Sequence, residues 1–189
     1  MTFDTDESEV SEDLGAGAAE KFYGKYRGLV VNNIDPLLIG RILVQVPDVS
    51  TIIPLSWAMP CVPVAGVQMG IFTVPPIGSG VWVEFEQGDP DYPIWVGGFW
   101  GSAAEVPVTA RLVPPGVPGI SIQTVLQNGI TISDVPGPTG GILLKSATGA
   151  LISVSDAGIT ISNGKGAIIT MLGPIVDING SALTILGPV

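Results

Sequence analysis

At 189 residues, 46% of them apolar, the chain is long enough for one or two small domains with a real core. Its formal charge of -10 repels phosphate backbones and anionic lipid surfaces alike, which excludes nucleic acid as a partner. With no histidine and one cysteine, an intrachain disulfide and a Cys/His zinc site are both excluded, and Cys61 is expected in the core.

Residues 1–13 carry Asp4, Asp6, Glu7, Glu9, Glu12 and Asp13 and no basic residue, so they are expected to be a solvated acidic arm. The N-terminus has no basic segment followed by an apolar run, and no secretory signal peptide is expected. No uninterrupted run of 18 apolar residues predicts a membrane span. Leu14 to Phe22 is alanine-rich enough for a short helix, although Gly15 and Gly17 weaken it. Residues 1–22 therefore precede the first folded domain.

Between Tyr23 and Glu86, apolar runs alternate with Gly and Pro, the pattern of short strands. The expected strands are Tyr26–Val31, Leu38–Val46, Trp57–Val62, Val67–Thr73 and Val81–Phe85. Turns are expected at Asn32-Asn33, Asp35-Pro36, Pro75-Pro76 and Gly78. Five such strands can close a small barrel and remove the sheet edges, so an oligonucleotide/oligosaccharide-binding (OB) type barrel is predicted over residues 23–100. The aromatic segment Tyr92 to Trp100 is read as a packed hairpin or interface element.

Residues 101–118, with Pro107, Pro114, Pro115 and Pro118, predict a linker or domain entrance. After Gly119, apolar doublets separated by one residue recur. They are Ile120/Ile122, Ile130/Ile132, Ile142/Leu144, Ile152/Val154, Ile159/Ile161, Val176/Ile178 and Leu183/Ile185. Ala167–Met171 is expected to hide one more strand. Asn128-Gly129, Asp156-Ala157-Gly158, Asn163-Gly164-Lys165-Gly166 and Asn179-Gly180 supply corners. Thr131, Ser133, Ser153, Ser155, Thr160 and Ser162 alternate with the apolar residues and would coat the outside. A single chain would expose an apolar strip, whereas three chains can point their strips at a common axis. Residues 119–189 are therefore predicted to form an intertwined trimeric triangular β-helix, with the doublets as the trimer core; the competing reading is a one-chain β-solenoid. About eight layers at ~4.8 Å spacing would make a shaft of roughly 40 Å.

Catalytic chemistry finds little support. Glu84 and Glu86 share a strand face, but solubilising the barrel accounts for them. Histidine-dependent triads cannot form, and the glycines lack phosphate-loop spacing. Asp89-Pro90-Asp91 is read as a turn rather than a metal site. No catalytic, metal or cofactor residue is assigned. Trp82, Trp95, Phe99 and Trp100 resemble a base-stacking platform, yet the sparse cations Lys21, Lys25, Arg27 and Arg41 do not complete one, and protein contact is the better use for both sets.

In their order, several of these fragments resemble the phage baseplate assembly protein V and VgrG-like central spikes of contractile injection systems. They are Tyr26-Arg27-Gly28-Leu29-Val30, Gly40 to Val46, Trp57-Ala58-Met59-Pro60, Pro75 to Pro90, and Tyr92 to Trp100. The resemblance implies a homotrimeric spike of a phage virion or phage tail-like particle, assembled in the producing cell's cytoplasm. Its barrel would dock to a baseplate hub protein, with Arg27, Arg41, Trp82, Trp95, Phe99 and Trp100 as candidates. Its shaft would point at the target membrane and touch it transiently. Some related spikes add a lysozyme-like or effector domain, for which no segment here leaves room. Some related tips enclose iron with histidines; with none here, Gly187, Pro188 and Val189 are expected to offer a blunt platform to a separate PAAR-like tip protein. The alternative is an OB-type protein- or carbohydrate-binding module with a β-rich oligomerisation tail.

Overall fold

The computed structural model describes residues 20–50, 56–180 and 182–186. The acidic arm, most of the expected Leu14–Phe22 helix and the Gly187–Val189 tip lie outside these residues. Glu20 to Phe22 are irregular rather than helical, so the described part of that helix is not formed.

The chain divides after Gly101 into two compact units. In the first, β1 (Tyr26–Asn32), β2 (Ile42–Gln45), β3 (Trp57–Pro60), β6 (Gly80–Phe85) and β7 (Pro93–Phe99) close a barrel in the order β1-β2-β3-β7-β6. All its ladders are antiparallel except β3 with β7. Alternation places Val81, Val83 and Phe85 inside while Trp82 and Glu84 point outward. Ile42, Val44, Val46 and Ala58, all 0% exposed, complete the core with Val30 and Trp95. Gly28 is required there, because a Cβ would sit 2.9 Å from Val83 Cγ2.

The barrel is five-stranded, but its membership differs from expectation. Val67–Thr73 is not a barrel strand. It belongs to an excursion containing the two-residue strands β4 (Ala65–Gly66) and β5 (Met69–Gly70), with Gln68 at φ +56° in the turn. Hydrophobicity without a partner sheet did not make a barrel strand, and the aromatic segment takes the place as β7. Cys61 is exposed, not buried; it directly follows β3, where its N–H donates to Trp95 O at 3.0 Å. The chain turns outward at this point, so the thiol misses the core.

The second unit is an eight-stranded sheet in strict sequence order. Its strands are β8 (Gly119–Gln123), β9 (Gly129–Ser133), β10 (Gly141–Lys145), β11 (Leu151–Ser155), β12 (Gly158–Ser162), β13 (Ile168–Leu172), β14 (Ile175–Ile178) and β15 (Leu183–Leu186). Every ladder is antiparallel, which makes the unit a meander rather than a one-chain solenoid. The strand hidden near residue 168 is β13. Asn163 Oδ1 accepts from Lys165 N at 2.8 Å and Ala167 N at 3.0 Å, fixing one corner. At another, Asn179 adopts φ +54° and its Oδ1 accepts from Ile168 N at 2.9 Å.

The 101–118 stretch contains 3-10 turns at Ala103–Glu105 and Val108–Leu112. Thr109 in the second is buried: its hydroxyl bonds Ser121 Oγ and donates to Gln123 Oε1 at 2.9 Å. This turn packs against β8 and β9, and Thr131 and Ser133 are buried. The hydroxyl face is therefore covered at the first strands instead of coating the surface there.

Candidate functional site

The register of the meander turns scattered doublets into two continuous columns. One runs Ile122, Ile130, Leu144, Ile152, Ile161, Ile169, Ile178, Leu183. The other runs Ile120, Ile132, Ile142, Val154, Ile159, Met171, Val176, Ile185. Every expected trimer-core residue falls in these columns, and Ile169 and Met171 join them. The middle row of the opposite face is mostly hydroxyl, Ser121, Thr131, Ser153, Thr160 and Thr170, with Leu143 between Thr131 and Ser153, while Leu151, Ile168, Leu172 and Ile175 lie toward its edges.

Among the described residues of the second unit, the columns are left open. Ile130, Ile132, Ile142, Leu144, Ile152 and Val154 all lie between 41% and 42% exposed. Even exposure across β9, β10 and β11 marks an open apolar face, the kind of patch that protein contacts cover. Closing it against copies of itself would bury branched side chains at roughly 25 cal/mol per Å². The chemistry available is packing alone.

The barrel presents a second surface on β1, β6 and β7. Arg27 and Trp82 are cross-strand partners, and the Arg27 guanidinium lies 5.4 Å from the Trp82 ring and 5.1 Å from the Phe99 ring. The two rings stand 5.1 Å apart, tilted by 50°. Phe99 lies over Gly80, where a Cβ would come within 2.6 Å of the ring. Trp100 follows, 62% exposed. This preorganised cluster brings together three of the six expected docking residues, Arg27, Trp82 and Phe99, with Trp100 next in the chain.

Trp95 and Arg41 are placed elsewhere. Trp95 is a core residue, and its Nε1 donates to Gly40 O at 3.2 Å, so a partner cannot reach it. Arg41 is committed to buried Asp35: its Nε and Nη2 donate to Asp35 Oδ1 at 3.0 and 2.7 Å, and its guanidinium covers Trp57. Asp35 also accepts from Leu37 N, Ile39 N and Arg41 N. The Arg41 guanidinium, ahead of these N–H groups, holds the Asp35 carboxyl well below the usual carboxylate range, against desolvation. Sequence reading took Asp35-Pro36 for a turn and missed this carboxylate; a chain of Asp followed six residues later by Arg was the only hint. Asp89 is likewise lowered, by the Asp91 N–H first and then Lys21. Glu84 is paired with Lys25 and lies on the outward face of β6. Among the described residues no group of three metal-ligating side chains converges.

The two units define a class of injector protein. Residues 26–100 match the type VI secretion system/phage-baseplate injector OB domain, and residues 119–184 match the phage baseplate V C-terminal trimerisation domain. Together these cover most of the chain, which belongs to the phage baseplate protein V family. It is a baseplate structural protein of phage tail-like particles, carrying an OB barrel. No curated protein matches the sequence.

Proposed function

We propose that the chain is the central spike of a contractile injection system. Three copies bring their apolar columns together on one axis, and the sheets enclose that axis as the faces of a triangular prism. The observation that carries this reading is the pair of uncovered columns, eight residues each, in unbroken register. The family description as a trimerisation domain supports the same stoichiometry.

Each interior strand already has both edges paired within its own chain. Assembly would then depend on side-chain packing between faces more than on ladders shared between chains. A stack of paired strands with a dry axis resists bending, so force from a contracting sheath would be delivered to a small area of the target membrane. The barrel docks to the baseplate hub through Arg27, Trp82, Phe99 and Trp100, because aromatic and Arg anchors concentrate binding energy. The end beyond β15 would seat a PAAR-like tip protein at Gly187, Pro188 and Val189. Assembly takes place in the cytoplasm of the producing cell, and the finished spike resides in the particle.

The test combines mass and capture. Full-length protein should have three times the chain mass across a wide concentration range and bind baseplates that lack their spike. Arg27→Ala should keep that mass and its thermal stability within about 1 kcal/mol, since an exposed cation–π contact contributes ~0.5–1 kcal/mol. It should lose hub capture. A folded monomer would overturn the spike, and full capture by Arg27→Ala would move the docking face elsewhere.

A further inference from the structure

The barrel carries a third surface, unlike the Arg27 face. The ladders pair Leu29 with Gly80 and Gly80 with Phe99, while β1 ends at Asn32 and β3 at Pro60. The loop 33–41, the excursion 61–79 and the chain's exit at Trp100 therefore share one mouth of the barrel. Ile34, Leu37 and Leu38 are exposed on the loop, and Val67, Met69 and Phe72 on the excursion. The two segments are joined. Asn33 Nδ2 donates to Pro75 O at 3.0 Å, the Phe72 ring packs over Gly40, and Ile39 and Phe72 line the same apolar cleft.

This display is held, not left slack. Leu38 sits at φ +57°, a left-handed conformation costly for leucine, with 83% of its surface exposed. Among the described residues nothing covers it in return for that strain. The five bonds to Asp35 from Leu37, Ile39 and Arg41 fix the loop in place. A strained, braced and exposed apolar loop is organised for a partner.

We propose that the mouths of neighbouring copies meet, the 34–39 loop of one chain lying on the 61–77 excursion of the next. This rests on the trimeric reading above. The chain leaves the barrel at this mouth, and a tail matched as a trimerisation domain would hold three barrels at high effective concentration. Charge favours a copy of the same chain. The protein carries -10 overall, yet no charged residue occurs from Pro60 to Gly80, and Asp35 and Arg41 neutralise each other. Identical patches can thus approach without repulsion.

The experiment places a photo-crosslinking amino acid at Val67 in purified full-length protein, with no other baseplate component present. Covalent products between copies, mapped to residues 34–39 of the second copy, are expected. Adding Leu38→Asp should cut their yield by about tenfold or more, because a carboxylate would be buried unpaired, while the trimer mass persists through the tail. Crosslinks confined to one chain, or appearing only with a baseplate protein when particles are added, overturn the proposal while trimer mass is retained. A monomeric mass would instead remove the trimeric reading itself, and this proposal with it.

Discussion

The barrel and the meander use the same side chains to opposite ends. Ile42, Val44 and Val81 in the barrel are fully buried, whereas Ile142, Val154 and Ile132 in the meander are two-fifths exposed. Both segments alternate apolar and other residues with period two. Closure makes the difference: a barrel supplies its own second layer, and an open sheet must find one outside the chain. A covered core is evidence for autonomous folding, and an orderly uncovered one is evidence for assembly.

The largest test of that comparison is a pair of neighbouring substitutions in β11. Ile152 lies in an apolar column between Leu144 and Ile161, and Ser153 lies on the other face between Leu143 and Thr160. In a lone chain, Ile152→Asp at an exposed position would cost little. In a sealed trimer it strands three carboxylates on the axis, each costing roughly 3–5 kcal/mol, and the oligomer should dissociate. Ser153→Asp should stay within about 1 kcal/mol of the parent. Oligomer mass and thermal unfolding of both variants decide between the two, and equal losses would erase the distinction between faces.

A second substitution attacks the other half. Ile42→Ala opens a cavity in a closed core and should cost the barrel about 2–5 kcal/mol, read by denaturant unfolding followed through the tryptophans. The meander contains no tryptophan, so trimer mass should survive conditions that melt the barrel. Simultaneous loss of both would mean that the two units do not fold independently.

A smaller, pH-dependent effect sharpens how the barrel mouth is held. Because the folded pKa of Asp35 lies below its ordinary value of 3.8, its ionised form stabilises the fold at neutral pH. That contribution is present above about pH 5 and is lost as pH falls through 3.8 toward the folded pKa. Asp35→Asn should therefore lower the melting temperature at pH 7, by less than Ile42→Ala, and the gap should narrow in acid. A gap that widens below pH 3.8 would contradict the Arg41 pairing.

Much of this architecture was legible from residue order. Period-two alternation in Val81, Val83 and Phe85 needs only the pleat of a strand, and the doublets from Ile120 to Ile185 state their own spacing. Turn residues such as Asn163 and Asn179 act on backbone within a few positions, or on a neighbouring strand, and marked their corners correctly. The sequence by itself thus determined an all-β chain with a barrel-forming half and a repetitive half. Tertiary structure alone decided which apolar run became a barrel strand, since Val67–Thr73 and Pro93–Phe99 are both hydrophobic and only the latter finds β3 and β6 on either side. It also decided that Trp95 and Arg41 face inward duties while Trp82 and Arg27 face outward, and that Cys61 escapes the core. These outcomes depend on contacts between residues far apart in the chain, and local pattern carries no record of which distant surface will arrive to cover a side chain.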